Sequence, residues 1–279
     1  MNIEIRPLKT IKEYQAVEQI QRQVWHFEDV KIVPDHMLFS IQKSGGLVLG
    51  AFDIAPGQER LVGFLFGLVQ LTAEGQVKHW SDMAGVLPAY QNQNLGYQLK
   101  LAQRECVLAQ GIDHIRWTFD PLESRNARLN FRKLGVTCNT YLRDVYGDRL
   151  GELNAGLPSD RFQVDWRISS AHVAERLRGD WVGPVLAALR AEGVAILNPA
   201  LSGEPPRQVL PIEGDRILVQ IPAHFQSIKS ADLKLACDWR THTCELFEAV
   251  FDAGYTIVDL LFENNQSYYL LRKENQNEN

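Results

Sequence analysis

Residues 86–96, Val86-Leu87-Pro88-Ala89-Tyr90-Gln91-Asn92-Gln93-Asn94-Leu95-Gly96, join an apolar strand-like run to a helical one through uncharged polar residues. Backbone N–H groups converge at such a strand-to-helix turn and the helix macrodipole favours negative charge there, so the chemistry on offer is anion binding, above all of phosphate. A plain polar turn would use the same residues. From Ser124 to Arg143 the chain carries Arg125, Arg128, Arg132, Lys133 and Arg143 and no acidic residue. That patch is either a solvated helix face or, beside a phosphate turn, part of a site for a multiply phosphorylated ligand. Cys106, Cys138, Cys237 and Cys244 are too scattered for a disulfide framework and form no C-x-x-C pair. His242 and Cys244 lie near Cys237 but lack a fourth ligand at zinc spacing, so no metal is expected.

The elements that must hold these residues follow from periodicity. Residues 2–8 read as a strand, and Thr10-Ile11-Lys12-Glu13 as a capping box opening a helix with Tyr14, Val17, Ile20 and Val24 on one face. Residues 46–53 and 61–71 form a hairpin around the Pro56-Gly57 turn, and a third run spans 77–87. Leu95, Leu99, Ala102, Cys106 and Ala109 make the apolar stripe of the next helix, with Gln98, Lys100, Gln103 and Arg104 on other faces and Gly111 as its stop. A strand at 114–119, a helix at 124–134 closed by Gly135, and strand-like segments at 136–146 and 161–168 complete the order βαβββαβαββ. Beyond residue 168 the reading is a helical stretch 171–192, a Pro/Gly-bearing segment 198–211, the strand Arg216-Ile217-Leu218-Val219-Gln220-Ile221, a helix over 230–253, strands at 255–262 and 267–271, and a frayed polar tail 274–279. A boundary near residue 169 is expected, dividing an N-terminal domain, 1–168, from a C-terminal α/β extension, 169–279.

The whole chain fits that scale. Its 279 residues are 45% hydrophobic and 23% charged, enough for one large domain or two small ones. With 29 Lys and Arg against 34 Asp and Glu the net charge is -5, which removes a global basic field for nucleic acid. No run approaches the ~18 apolar residues that span a bilayer. The N-terminus, Met1-Asn2-Ile3-Glu4-Ile5-Arg6, carries charges where a signal peptide would be apolar, so a cytoplasmic protein without membrane partners is expected.

Several of these stretches together resemble a known family. Gln91-x-x-Asn94-x-Gly96 stands where the GNAT superfamily of acyl-CoA-dependent N-acyltransferases has Gln/Arg-x-x-Gly-x-Gly/Ala. Residues Trp117-Thr118-Phe119-Asp120-Pro121-Leu122 and Ser124 to Gly135 are similar to its fifth strand and fourth helix. With Gly156-Leu157-Pro158-Ser159-Asp160-Arg161 they resemble a bacterial subgroup with a C-terminal extension, some members of which are linked with N-acylation, including N-succinylation, of amino acids. The resemblance implies an α/β (α+β) fold, a mixed and mostly antiparallel sheet flanked by helices, with a V-shaped opening between the fourth and fifth strands for the pantetheine arm of CoA. It implies pyrophosphate on the amides of Gln91, Asn92, Gln93, Asn94, Leu95, Gly96 and Tyr97. The backbone of Met83, Ala84, Gly85 and Val86 would polarise the thioester carbonyl, and Asn126, Asn130, Phe131 and Lys133 of the following helix would face the cofactor. Two departures stand out: Asn94 replaces the first loop glycine, which Asn tolerates because it can adopt positive φ, and Phe131 replaces the tyrosine that protonates the departing thiolate in many relatives.

A protonated amine cannot attack a thioester, so the implied reaction needs a base on the fourth strand. His79, Ser81 and Asp82 are the candidates, and alternation puts His79 and Ser81 on one face and Asp82 on the other. Asp82 is favoured, with His79 next, and a bulge in the strand could reverse the choice. Asp120 could hold a substrate ammonium and Arg161 a carboxylate, although a turn and a surface position explain them as well. Trp117, a third substrate candidate, reads with Trp166 as core before cage, and His114 as structural. The expected function is direct transfer of an acetyl or succinyl group from acyl-CoA to the amine of an amino acid or similar small metabolite, without metal and without a cysteine intermediate. The alternative is a noncatalytic CoA-sensing or interaction module. The C-terminal region serves packing, homodimerisation, or as a degenerate second half of the same fold.

Overall fold

Thr10 caps the first helix, α1 (Ile11–Trp25), as its sequence signature predicts: its hydroxyl accepts from the Glu13 amide at 3.3 Å while the Glu13 carboxylate accepts from the Thr10 amide at 3.2 Å. The computed structural model describes residues 2–55, 57–147, 156–179, 181–200, 203–206 and 208–273. These divide into two compact units, one of residues 2–117 and 167–169, the other of the remaining described residues.

In the first unit β1 (Ile3–Pro7), β2 (Leu47–Ala55), β3 (Gln58–Leu71) and β4 (Val77–Val86) pair antiparallel in sequence order, and β5 (His114–Phe119), which runs on into the second unit, joins β4 in parallel. Helices α1, α2 (Asp35–Lys43) and α3 (Leu95–Ala109) accompany this sheet. Its core gathers Tyr14, Val17 and Ile20 of α1 with Val48, Phe64 and Leu65 of the sheet and Leu99 of α3. Lys100 and Gln103, expected on other faces of α3, are buried instead at 7% and 0% exposure. The helix therefore turns a wider face to the protein than its apolar stripe alone describes.

The second unit contains α4 (Ser124–Ala127), β6 (Thr137–Leu142), β7 (Arg161–Arg167), α5 (Ala171–Leu177), α6 (Leu186–Ala191), β8 (Ala195–Ile196), β9 (Arg216–Ile221), α7 (Phe225–Ala231), α8 (Leu233–Asp252), β10 (Tyr255–Glu263) and β11 (Gln266–Lys273). The helix expected over 124–134 begins as α4 but continues as a π-helix from Arg128 to Leu134, closed by Gly135 at φ 72°. The expected helix 171–192 is two short ones, because Gly183-Pro184 interrupts it and the residue before a proline avoids helical geometry. Likewise the expected helix 230–253 is α7 and α8, separated at Asp232, whose carboxylate caps α8 by accepting from the Leu235 amide at 2.9 Å. The two-residue strand β8, parallel to β9, has no sequence signal.

The sheet of this unit runs β7, β6, β10, β11, β9, β8. β10 pairs with β6 at Ile257 and Cys138, so the segment between residues 118 and 166 shares a core with the C-terminal strands. That pairing is why the division falls inside β5 rather than near residue 169. Phe162 anchors the shared core, with Phe247 at 4.7 Å and Tyr269 at 5.5 Å between ring centroids. Helix α8 followed by β10 and β11 repeats the helix-strand-strand order of residues 124–167. Pro56, residues 201, 202 and 207 of the Pro/Gly-bearing segment, and the 274–279 tail lie outside the described residues.

Candidate active site

The opening expected between the fourth and fifth strands is built from unequal pairing. β3 accompanies β4 as far as Val86, which stands opposite Gly63. β5 meets β4 only at His79 with Ile115 and Trp80 with Arg116, so residues 81–86 of β4 continue without a β5 partner. A parallel pair that separates in this way leaves strand edge and side chains of both strands facing one gap.

A bulge sits at the start of the gap. The β3 register passes from Phe66 opposite Met83 to Gly67 opposite Ser81, leaving Asp82 as the extra residue. Trp80 Nε1 donates to Asp82 Oδ1 at 3.2 Å, which puts Asp82 on the Trp80 face of the sheet. A Cβ on Gly85 would meet the Trp25 ring of α1 at 2.6 Å, so this is also the α1 face, and the bulge leaves Asp82 and Met83 both on it. Asp82 is solvent-exposed. Partial loss of hydration raises its pKa above the ordinary carboxylate range, and the bond from Trp80 works in the opposite direction. The bulge follows His79 and Ser81 and does not reverse their facing.

His79 and Ser81 point to α3. His79 is fully buried, its Nε2 lies 3.0 Å from Gln103 Nε2, and burial followed by the charge of Lys100 lowers its pKa to about 4. Its ring therefore belongs to an interior cluster and does not reach solvent. Gly67 makes room for it, since a Cβ there would stand 2.3 Å from His79 Nε2 and 2.5 Å from the Trp80 carbonyl oxygen. Gly67→Ala is expected to destabilise the protein by about 1–3 kcal/mol through overpacking. Its denaturant midpoint measures this, and an unchanged midpoint contradicts the close packing.

The phosphate-type turn is held by its own side chains. Gln91 Nε2 donates to the Val86 carbonyl at 3.0 Å, Gln93 Nε2 to that of Ala89 at 3.1 Å, and the Tyr90 hydroxyl to Asp53 Oδ2 at 2.9 Å. Asn92 and Asn94 take left-handed φ of 64° and 65°, the conformation asparagine tolerates without a glycine. Asn94 precedes α3 without a side-chain capping bond, and the first-turn amides of a helix have no intrahelical acceptor. The turn therefore presents an N-terminal helix end braced from behind.

The candidates in the second unit are placed differently. Asn126 and Lys133 are exposed, but Asn130 and Phe131 are buried, and Phe131 packs against Phe119 at 6.1 Å and Tyr269 at 5.5 Å between centroids. Arg132 pairs with Asp259 at 2.8 Å and Arg143 with Glu248, so part of the basic patch is neutralised internally. Asp120, expected to receive a substrate ammonium, instead accepts from Arg240 at 2.6 Å and lies 3.6 Å from Arg161. Its remaining oxygen accepts from the Leu122 amide at 2.9 Å. This carboxylate is already paired, and Arg161 is turned toward it. Trp117 in the first unit lies beneath the Lys100 ammonium, 3.7 Å from the ring centroid. Cys138 and Cys244 are buried, and among the described residues no group of three or more His, Cys, Asp or Glu side chains could hold a metal. No helix among them is long and apolar enough to cross a membrane.

Comparison with solved structures returns acetyltransferases. Over 61% of this chain and 96% of the other, the structure is similar to the ribosomal-protein-S18-alanine N-acetyltransferase from Escherichia coli, with a TM-score of 0.47 and 18% identity. It is similar to a chain of the NatC complex bound to Gag peptide and CoA over 60% of this chain and 99% of that one, with a TM-score of 0.49 and 12% identity. An acetyltransferase of the GNAT family from Streptococcus pneumoniae matches over 59% and 98%, with a TM-score of 0.46 and 15% identity. No protein-family profile matches the sequence, and no curated protein matches it. The fold is GNAT-like on its own topology: a mixed, mostly antiparallel sheet flanked by helices, with its parallel fourth and fifth strands parting beside the N-terminus of the third helix.

Proposed function

We propose that this protein is an acyl-CoA-dependent N-acyltransferase. The observation that carries the reading is the opening of β4 from β5 directly beside the braced N-terminal end of α3. CoA needs both parts: amides for a pyrophosphate, and an unpaired strand edge along which an amide-bearing pantetheine arm can lie. In this reading the pyrophosphate lies on residues Gln91 to Tyr97 and the thioester along Met83 to Val86. Asp82, exposed on the α1 face, takes the proton of the attacking amine.

Transfer is direct, from an acetyl or succinyl thioester to the amine of an amino acid or similar small metabolite, with the acceptor class resting on the sequence resemblance. The internal pairing of Asp120 speaks against that residue as the ammonium contact. Calorimetric titration with CoA tests the site. The parent should bind, and Gly96→Pro, which removes an amide at the second helical position, should weaken binding at least tenfold, about 1.4 kcal/mol. Equal affinity in a folded variant contradicts the phosphate turn.

A further inference from the structure

Trp80 and Asp82 stand two residues apart on the α1 face of β4, and Trp80 Nε1 donates to Asp82 Oδ1 at 3.2 Å. The bulge leaves Asp82 without a β3 partner, since the register passes from Phe66 opposite Met83 to Gly67 opposite Ser81. No cross-strand neighbour therefore braces the carboxylate. Among the described residues the indole is its one hydrogen-bond partner, and Oδ2 has none.

Trp80 is itself anchored on both sides. It pairs with Leu68 of β3 and with Arg116 of β5, the last position at which β4 and β5 are joined. Its ring is half-buried, whereas Asp82 is exposed. A donor fixed on the paired part of the strand thus reaches forward onto the part that has no β5 partner.

The charged groups on this face come from three elements. β4 carries the buried Lys78 two residues before Trp80, and β5 carries Arg116 opposite it. β3 presents Phe66 and Leu68, and α1 closes over Gly85 with Trp25, its last charged residue, Arg22, being turned to Asp29 at 2.9 Å and Glu18 at 3.8 Å. Lys100 and His79 lie on the α3 face. Burial raises the Asp82 pKa, the Trp80 bond lowers it, and no charged neighbour shifts it further.

An indole N–H donates and cannot accept, so a proton arriving at Asp82 settles on Oδ2 while Oδ1 keeps its bond. We infer that Trp80 is a positioning residue for the proton transfer, fixing Oδ1 so that Oδ2 takes the proton of the attacking amine; this rests on the acyl-transfer reading proposed above, with Asp82 as its base. The bond also favours the ionised carboxylate, so the same contact sets the pH at which the base becomes active.

Steady-state rates across pH in the full-length parent and in Trp80→Phe test this role, because phenylalanine keeps a ring over the strand and removes only the donor. The acid limb should move up by about half a pH unit or more, roughly a threefold change in the carboxylate-to-acid ratio, with CoA affinity unchanged. The high-pH plateau should fall about tenfold as the carboxylate loses its orientation. A limb that stays in place, or a plateau equal to the parent's, overturns the inference alone. The indole N–H resonance of Trp80 gives a reading that needs neither turnover nor a change at Trp80: it should titrate with Asp82 in the parent and lose that titration in Asp82→Asn. A resonance insensitive to Asp82→Asn also overturns the inference. A parent that binds CoA and acylates no amine overturns the acyl-transfer reading, and this role with it.

Discussion

Asp82→Asn is expected to lower the acyl-transfer rate by about 100-fold or more while CoA affinity stays unchanged, because general base catalysis typically contributes that much. The bulge makes this residue distinct from its neighbours: His79 and Ser81 face α3, whereas Asp82 is displaced onto the α1 face and reaches solvent with one oxygen held by Trp80. Only the ionised carboxylate accepts a proton, and its pKa is raised by partial desolvation. The parent's rate should therefore rise with pH through a point above the ordinary carboxylate range, and Asn at this position should remove that limb. Steady-state rates across pH, paired with CoA titration, check both halves. A variant within a few-fold of the parent removes Asp82 from the mechanism.

Asp120→Ala should cost about 3–5 kcal/mol of folding stability, the scale for breaking a buried pair from one side. Asp120 receives Arg240 at 2.6 Å, lies 3.6 Å from Arg161 and accepts the Leu122 amide at 2.9 Å. The Arg240 side chain is 3% exposed, and its Nε and other terminal nitrogen have no hydrogen-bond partner among the described residues. Removing the carboxylate strips a buried guanidinium of its direct ion-pair partner, leaving the charges of Asp160 and Glu123 at longer range. Denaturant unfolding of the two proteins measures the difference. A loss of only a few tenths of a kcal/mol contradicts the reading of Asp120 as the buried partner of Arg240.

The parts of this molecule that could be read from sequence are those with local causes. Thr10 and Glu13 satisfy each other's amides within one turn, and the polar run from Gln91 to Gly96 separates a strand rhythm from a helical one, so α1 and the turn into α3 were both legible. The bulge at Asp82 depends on how β3 registers against β4, and no residue in β4 announces it, although the pairing of Gly67 with a histidine-bearing strand is a partial signal. Lys100 and Gln103 break the apolar stripe of α3, so periodicity assigns them to water. They are buried because Ser81, His79 and Trp117 offer polar and aromatic partners from two strands. Arg240 is separated from Asp120 by 120 residues, a contact that no local pattern encodes. The π-helix from Arg128 has the composition of an ordinary helix, and its widened turn buries Asn130, Phe131 and Leu134 together.

Amine-dependent release of free thiol from acyl-CoA tests the central claim most directly. Purified protein is mixed with acetyl-CoA or succinyl-CoA and a panel of amino acids and simple amines, and thiol is followed against mass-spectrometric detection of the N-acyl product. The account predicts thiol release in equal amount to an amide product for at least one amine, reduced about 100-fold or more in Asp82→Asn. Protein that binds CoA but releases no thiol beyond the amine-free control with any acceptor contradicts it and favours a CoA-sensing module instead.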